Sequence, residues 1–357
     1  MSQYSYHADR SSSTLFASLW VNALGDRYPV KVAPFSSCTT ELLAELENRL
    51  DINSGDVLVD LGCGAGGVGL WLAENQSLKL VGVDRCSDAT ALAATRAGEW
   101  DLAHPAGFVT ADFSDTGLES ASADAVFSVD AFTAAADIQL ALAEVKRILK
   151  PNGVFVFTAR QLTPAGRHFE AMGGDWEKGL EEHEFSAISM TTRPGVSALW
   201  QSIFNQWLEH EADLRRELQP ETVDALVVEA RNQLPQMKDE RPWLLISATQ
   251  KSLMASDHGF YLQSASDALD VIGSGQAGCI FTETDCVAGF FDLRNGIAGE
   301  VFQKFVNYNF QAAFIVPPHH HYGDRVSEMI KDHRSHANVR FFHSAKEAEQ
   351  WLSSNEY

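Results

Sequence analysis

A glycine-rich turn is the feature of this 357-residue sequence with the clearest chemistry. The eight residues from Asp60 to Gly67 read DLGCGAGG and stand between an apolar run and a helical pattern. Glycines such as Gly62, Gly64 and Gly66 let the backbone approach a ligand closely and take up positive φ at little cost. The helix that follows would present its free N–H groups to that ligand. The turn therefore predicts a binding site.

The glycine spacing alone does not identify the ligand. Gly62, Gly64 and Gly67 also satisfy the dinucleotide pattern G-x-G-x-x-G, which is a weak signal without supporting residues. Asp60 stands immediately before the turn, and a carboxylate there suits a cationic ligand better than a pyrophosphate, because like charges at that distance are costly. Asp60 could therefore hold an ammonium group, directly or through water.

Two further acidic residues follow the next predicted strands. Asp84 ends the second strand, where a carboxylate can accept both ribose hydroxyls, a feature shared with NAD sites. Asp112 follows the third strand and could accept the exocyclic amine of adenine, while Phe113 could cover a face of that ring. Because ligands of open parallel sheets bind at the carboxyl ends of the strands, these residues together indicate one adenosyl ligand.

The elements that must position these residues alternate from residue 55 onwards. This alternation predicts a doubly wound, Rossmann-like α/β fold with a parallel sheet and helices on both faces. The predicted strands are DVLVDLG, KLVGVD, GFVTADF, DAVFSVDAF and GVFVFTA, followed by EFSAISM and PWLLISATQ. Near residue 252 the alternation restarts, which predicts a second, small α/β domain over residues 258–357 with strands GFYLQS, CIFTETD, QAAFIV and NVRFFHS.

Helical additions flank this main domain, which we place at residues 39–251. We predict that residues 1–38 form an N-terminal helical cap, with a helix over SSSTLFASLWVNAL, and that residues 196–237 form an acidic helical insert. An aromatic stripe in the insert has the spacing of one helix face, which favours core packing; the alternative is one wall of a substrate pocket under a lid. The stripe consists of Trp200, Phe204 and Trp207.

Composition excludes some partners. The formal net charge is −21, and a broadly acidic surface disfavours nucleic acid and anionic membranes. The sequence shows neither an apolar run that could span a bilayer nor a signal peptide, so we expect a cytoplasmic protein. The five cysteines follow no metal spacing, and adjacent histidines at 319–321 are a poor ligand set, so no metal site is predicted.

Several segments together resemble the successive motifs of class I S-adenosylmethionine-dependent methyltransferases, most of all the bacterial small-molecule branch. These segments are VLVDLGCGAGGVGLWLA, LVGVD, ADF, ADAVFSVDAF and EVKRILKPNGVFVFT, and the resemblance covers about residues 30–250. It implies S-adenosylmethionine as cofactor and methyl transfer to a small molecule. It also implies that Arg85 flanks adenine and that the backbone of Ser128 contacts the amino acid part. The cofactor-binding residues expected are Asp60, Gly62, Gly64, Gly66, Asp84, Arg85, Asp112, Phe113 and Ser128.

The sequence does not identify the catalytic residues. Many small-molecule relatives carry a histidine shortly after the fourth strand, where this sequence reads DAFTAAAD. Methyl transfer can rest mainly on proximity and orientation, so a base is needed only for an acceptor that is protonated when bound. The candidates for such a base are His168, His183, Asp130 and Tyr28, and none is favoured over the others.

Other functions remain alternatives. The same cofactor could undergo intramolecular cyclisation or aminocarboxypropyl transfer, which release methylthioadenosine. An NAD-dependent oxidoreductase and a non-enzymatic sensor of the cofactor are further readings. FFDLRNGIAGEVFQKFVNYNFQAAFIV and VRFFHSAKEAEQWL resemble an uncharacterised family of STAS-like domains. That domain could form a homodimer, regulate the enzyme or add a wall to its active site.

Overall fold

The structure is a computed structural model that describes residues 6–239, 241–274, 276 and 278–353. The chain divides into two compact units between Lys251 and Ser252. Residues 1–5 of the predicted cap and residues 354–357 of the predicted second domain lie outside the described residues. Within the described part of the chain, none of the helices has the length and apolarity needed to cross a membrane.

The first unit opens with helices and then alternates strands with helices. The opening helices are α1 (Tyr6–Ser12), α2 (Thr14–Leu24) and α3 (Thr40–Leu50). The alternating part contains β1 (Val57–Leu61), α4 (Gly67–Gln76), β2 (Lys79–Asp84), α5 (Ser87–Ala97), β3 (Gly107–Thr110), β4 (Ala123–Ser128), α6 (Ile138–Ile148) and β5 (Leu149–Arg160). The remainder contains α7 (Trp176–Glu182), β6 (Phe185–Thr192), α8 (Val196–Glu209), α9 (Glu211–Glu217), α10 (Pro220–Gln233) and β7 (Trp243–Gln250).

One sheet runs through the first unit in the order β3-β2-β1-β4-β5-β7-β6. Strands β1 to β5 are parallel, whereas β7 runs antiparallel to both of its neighbours, β5 and β6. The predicted α/β class is confirmed, with one reversed strand that the alternation did not indicate. Dinucleotide-binding sheets with the order 3-2-1-4-5-6 have no such strand between the fifth and sixth positions.

Helices cover both faces of this sheet. The core under α6 and α7 takes up Val59 and Leu61, while the core under α3 and α4 takes up Leu58 from the same strand. This division follows from the alternation of side chains along a strand. Because both faces are covered, the carboxyl edge of the parallel strands is where the sheet is open to a ligand.

The cap and the insert form one helical layer. Side chains of α2 and of α8 to α10 share a single apolar core, in which Phe204 and Trp207 are buried. The predicted helix over residues 11–24 is α2, which begins at Thr14 because Ser13 takes an extended conformation and its hydroxyl accepts the N–H of Phe16 at 2.9 Å. The preceding helix α1 was not predicted; it buries none of its residues and therefore shows no apolar periodicity.

The second unit contains α11 (Ala265–Gly273), β8 (Gly278–Phe281), α12 (Ile297–Asn307), β9 (Gln311–Ile315), α13 (Asp324–Asp332), β10 (Val339–Phe342) and α14 (Ala345–Ser353). Its strands form a parallel sheet in the order β10-β9-β8. The predicted strand over residues 259–264 is wrong. Leu262 makes a single bridge to Cys286, and Ser264 then begins a helix through a capping box with Asp267, which ends the extended backbone.

Candidate active site

Two adjoining cavities lie at the carboxyl ends of β1, β2 and β4. The larger, which we call the turn cavity, has a volume of about 300 Å³ and is lined by the glycine turn. The smaller, which we call the Phe113 cavity, has a volume of about 220 Å³ and is lined by residues that follow β2 and β3. The two share Gly62, Asp84, Asp130 and Ala131 as lining residues, so they form one continuous cleft.

Each glycine of the turn has a different role. Gly62 has φ +79°, and a Cβ atom there would lie 2.3 Å from the Cβ of Ala131. Gly66, at the start of α4, has φ +77°, and a Cβ atom there would lie 2.9 Å from a side chain of α5. Gly64 has φ +51° but faces open space, with the ring of His7 nearest at 3.9 Å. Gly62 and Gly66 thus permit the turn, and Gly64 exposes its backbone to the cavity.

Asp84 both fixes the turn and lines the cleft. One of its carboxylate oxygens accepts the N–H of Gly64 at 3.0 Å, and the other accepts the N–H of Cys86 at 2.9 Å. It lines both cavities, as expected of the residue between the two halves of an adenosyl ligand.

Asp60 is a buried carboxyl group at the floor of the turn cavity. Burial, and to a lesser degree the nearby charge of Asp84, raise the pKa of Asp60 to about 8, while the N–H of Gly69 opposes the shift. A cation bound in the cavity would stabilise the ionised form of Asp60 and lower this pKa. The site is thus suited to an ammonium group.

Asp112, Phe113 and Arg85 line the Phe113 cavity together. Asp112 accepts the backbone N–H of Ser114 at 3.0 Å and its hydroxyl at 2.8 Å; these bonds, the backbone one first, lower the pKa of Asp112. The Phe113 ring packs against Phe132 with a centroid separation of 6.2 Å. The cavity therefore presents an ionised acceptor and a partly fixed aromatic ring.

Two of the predicted cofactor residues, Gly66 and Ser128, line neither cavity. Ser128 is buried, and its hydroxyl donates to the carbonyl of Leu61 at 2.6 Å, so its side chain joins the ends of β4 and β1. Its neighbours Phe127 and Val129 line the turn cavity. Both residues thus shape the cleft from behind it.

Of the four candidate bases, Asp130 alone lines the cleft. It has φ +56° and sits between the two cavities. Its carboxylate accepts the N–H of Ser37 at 2.6 Å and the hydroxyl of Thr158 at 2.9 Å, and Arg193 lies 3.9 Å away. These contacts commit Asp130 to holding the segment after the cap against the sheet.

The other three candidate bases lie outside the cleft. A ring nitrogen of His168 lies 2.8 Å from the carbonyl of Thr133, and one of His183 lies 2.7 Å from the carbonyl of Gly179. Tyr28 is buried in the helical-layer core, and this burial raises its pKa to about 12. None of the three is placed to contact a ligand of either cavity.

Three charged or titratable residues of the helical layer line the turn cavity and were missed by the sequence reasoning: His7, Arg10 and Glu229. Trp200 also lines the cavity, as the alternative interpretation of the aromatic stripe predicted. The Arg10 guanidinium lies 3.9 Å from the ring centroid of Tyr6, and its Nε is buried without a hydrogen-bond partner. Burial, and then Arg10, lower the pKa of His7. These residues come from α1, α8 and α10, so the helical layer closes the cavity opposite the sheet.

The chain between the cap and α3 is tied to the glycine turn. Arg96 donates to the carbonyls of Ala65 and Val32, both at 2.9 Å, and so joins the turn to this segment. Arg193 donates to the hydroxyl of Ser37 at 3.0 Å and to its carbonyl at 2.8 Å. The rim of the cavity is therefore held by hydrogen bonds from two elements.

Among the described residues, no group of three or more histidine, cysteine or acidic side chains is arranged to hold a metal ion. Of the histidine run at 319–321, the ring of His320 stacks on Tyr322 at a centroid separation of 5.2 Å.

Comparisons with known proteins agree with this geometry. Residues 59–157 match the family model described as a methyltransferase domain, and residues 247–352 match a domain of unknown function, DUF4180. The sterol 24-C-methyltransferase of Candida albicans is 22% identical over 243 residues, which are 68% of this chain and 58% of that protein. The Aspergillus fumigatus enzyme is 33% identical over 111 residues, or 31% of this chain and 29% of that protein. The chain thus spans about three tenths to three fifths of the length of these relatives.

Solved structures show the same fold. The [4+2]-cyclase SpnF has a TM-score of 0.53 at 17% identity, covering 69% of this chain and 96% of that one. Phosphoethanolamine N-methyltransferase 2 of Haemonchus contortus has a TM-score of 0.50 at 19% identity, covering 69% and 59%. The first unit therefore shares the fold of these two proteins, and within it residues 59–157 are similar to methyltransferase domains.

Proposed function

We propose that this protein transfers the methyl group of S-adenosylmethionine to a small-molecule acceptor. The observation that carries the proposal is the continuous cleft formed by the turn cavity and the Phe113 cavity. Its narrow end presents an aromatic ring and an ionised carboxylate, as adenine binding requires, and its wide end has room beyond the methionine moiety.

The residues fit the cofactor group by group. Phe113 would cover adenine with Asp112 accepting its amine, and Asp84 would accept the ribose hydroxyls. At the wide end, the buried Asp60 suits the ammonium group and the unpartnered Nε of Arg10 suits the carboxylate. These two groups match the charges of an amino acid moiety, which a nicotinamide dinucleotide does not have.

Catalysis would rest on placement. The cofactor supplies a methyl carbon already activated by its sulfonium charge. The glycine turn and Asp84 fix the sulfur end of the cleft, and the helical layer excludes water from it, so the acceptor is held in line with the methyl group.

The acceptor is proposed to be small and not polyanionic. The turn cavity of about 300 Å³ must hold the methionine moiety as well as the acceptor, which leaves little space for a molecule the size of a sterol. The chain's net charge of −21 also opposes a highly anionic acceptor. The sterol acceptors named for the relatives are therefore not transferred to this protein.

Binding and product analysis test the proposal. Calorimetry should detect binding of S-adenosylmethionine and no binding of NAD⁺. Asp84→Asn should weaken S-adenosylmethionine binding at least tenfold, because it removes the acceptor for the ribose hydroxyls and loosens the glycine turn. Incubation with an acceptor should yield S-adenosylhomocysteine. Methylthioadenosine formed from the cofactor alone, or tight binding without any turnover, would contradict methyl transfer.

For the second unit we keep the prediction of a STAS-like domain through which the chain forms a homodimer. Its parallel three-stranded sheet with flanking helices is consistent with a small α/β domain. Sedimentation of the full chain beside a chain ending at Lys251 tests the dimer; a monomeric full chain would contradict it. The cytoplasmic location likewise stays a prediction, to be checked by cell fractionation.

A further inference from the structure

Glu229 is a carboxylate of the turn cavity for which the described part of the chain provides no hydrogen-bond partner. It lies on α10 in the helical insert and lines the cavity with Trp200. Among the described residues it accepts no hydrogen bond, and Arg10 is not within ion-pair distance of it. The Glu229 side chain is exposed, but enough protein surrounds its carboxyl group for desolvation to raise its pKa, with Arg10 opposing the shift.

The other charged groups of the cavity are already engaged. Asp84 and Asp130 accept hydrogen bonds from the protein, and Arg96 donates to two carbonyls. Under the proposed function, Asp60 and Arg10 hold the two charges of the methionine moiety. Glu229 is therefore the group left to face the second substrate.

The wall beside Glu229 is aromatic. Trp200 is held in place by Phe204, stacked at a centroid separation of 5.3 Å, and by the edge of Trp20 at 5.5 Å. Phe35 lines the same cavity. Aromatic faces next to a carboxylate attract organic cations, and aromatic rings also shield the carboxylate from water.

We infer that Glu229 binds the acceptor and that the acceptor is a small amine; this rests on the proposed methyl transfer. The amine enters as the ammonium ion that Glu229 and the aromatic wall attract, and it first gives one proton to the Glu229 carboxylate, which passes it to solvent. The freed nitrogen lone pair then forms a bond to the methyl carbon, and the carbon–sulfur bond breaks with its electron pair moving to sulfur. The products are the methylated ammonium ion and S-adenosylhomocysteine. An alcohol would require a stronger base than a carboxylate, and an anionic acceptor would be repelled by Glu229.

The experiment uses the full chain, S-adenosylmethionine and pairs of amine and alcohol with one carbon skeleton: ethylamine and ethanol, benzylamine and benzyl alcohol, phenethylamine and phenethyl alcohol. S-adenosylhomocysteine release is measured. We expect turnover with amines, a loss of kcat/KM of at least 100-fold in Glu229→Gln, and partial activity in Glu229→Asp. Glu221→Gln, an exposed carboxylate on the same helix, is the matched control and should behave as wild type.

Two further readouts separate this inference from the proposed function. The affinity for S-adenosylhomocysteine should be the same in Glu229→Gln and wild type. Activity of the wild type should fall as the pH drops through the raised pKa of Glu229, and this limb should be missing in Glu229→Gln. The other ionisable groups facing the cavity are unchanged by the substitution; they are His7, Arg10, Asp60, Cys63, Asp84, Arg96 and Asp130.

Three results would overturn the amine assignment while leaving methyl transfer standing, provided that the cofactor binds. They are no turnover of any amine, a preference for the alcohols, and full activity in Glu229→Gln. Failure to bind the cofactor at all overturns the proposed function itself.

Discussion

Gly64 is the position where one added methyl group should affect the bound cofactor far more than the folded protein. Its φ is +51°, and the atoms nearest to a Cβ built there are those of the His7 ring at 3.9 Å, which is ordinary contact. Gly62 and Gly66 cannot serve this purpose, since a Cβ atom there would lie 2.3 and 2.9 Å from side-chain atoms. Gly64→Ala therefore carries a conformational cost without a clash.

The size of that cost follows from the backbone. An alanine in the left-handed region costs about 1–2 kcal/mol, which lowers the Tm of a domain of this size by roughly 2–8 °C. Gly25, at the end of α2, has φ +57° and no atom within 4 Å of its built Cβ, and it does not line the cleft. Gly25→Ala should lower Tm by at least a similar amount, because its ψ of −135° lies outside the left-handed helical region, and it serves as the control for lost stability.

Cofactor affinity should separate the two variants. The methyl group of Gly64→Ala would occupy cavity space where the ligand approaches the backbone, so we expect at least tenfold weaker binding, or about 1.4 kcal/mol. Thermal denaturation gives Tm, and calorimetry with S-adenosylhomocysteine gives Kd. Wild-type affinity in Gly64→Ala, or an equal loss of affinity in Gly25→Ala, would refute the placement of the ligand against the turn.

Two further predictions concern the two ends of the cleft. Because the pKa of Asp60 is raised to about 8, the free protein keeps that proton at neutral pH; S-adenosylhomocysteine binding should release it, and affinity should rise with pH up to about 8. The protonated Asp60 also contributes to the free energy of unfolding, and this contribution should be lost as pH rises through that value. Asp60→Asn should abolish the pH dependence of both affinity and stability. Calorimetry and denaturation at pH 6–9 measure the two. Phe113→Ala should weaken S-adenosylhomocysteine binding about tenfold by removing a stacking surface, and Phe113→Leu should weaken it as much. If either variant bound as tightly as the wild type, the adenine assignment would be contradicted.

The glycine turn and the acidic strand ends could be predicted because their signals are local. Each of Asp60, Asp84 and Asp112 stands next to its own apolar strand, and parallel strands bring their carboxyl ends to one edge whatever the rest of the fold does. The reversed direction of β7 had no such signal, since an alternating apolar strand has the same pattern in either direction.

Most of the helical side of the cleft could not be predicted, because the positions of its residues depend on tertiary packing and leave no local signal in the sequence. Helix α1 buries no residue, so nothing in its sequence marks His7 and Arg10 as facing a cavity. Glu229 is one acidic residue on an acidic helix, and its position in the cleft depends on how the helical layer packs. Trp200 has the spacing of Phe204 and Trp207, and only tertiary structure shows that it alone reaches the cavity.

The hypothesis that the N-terminal cap and the helical insert close over the bound ligand as a lid can be tested through the attachment of α1. Deleting the cap would expose the apolar core that α2 shares with the insert, so loss of activity could reflect unfolding. A milder change is Asp88→Ala on α5. One carboxylate oxygen of Asp88 accepts the N–H groups of His7 and Ala8 at 2.6 and 3.1 Å and thereby caps α1. Losing such a cap costs about 1 kcal/mol.

If α1 closes the turn cavity, that cost should shift the closed helix toward an open state. We expect S-adenosylhomocysteine to dissociate about fivefold faster from Asp88→Ala in stopped-flow measurements, since 1.4 kcal/mol corresponds to tenfold. Glu177→Ala, an exposed carboxylate in the first turn of α7, should leave the rate unchanged. An unchanged rate in Asp88→Ala would mean that α1 does not gate the cavity, because the Asp88 carboxylate is the contact that orients the first turn of α1 over the ligand.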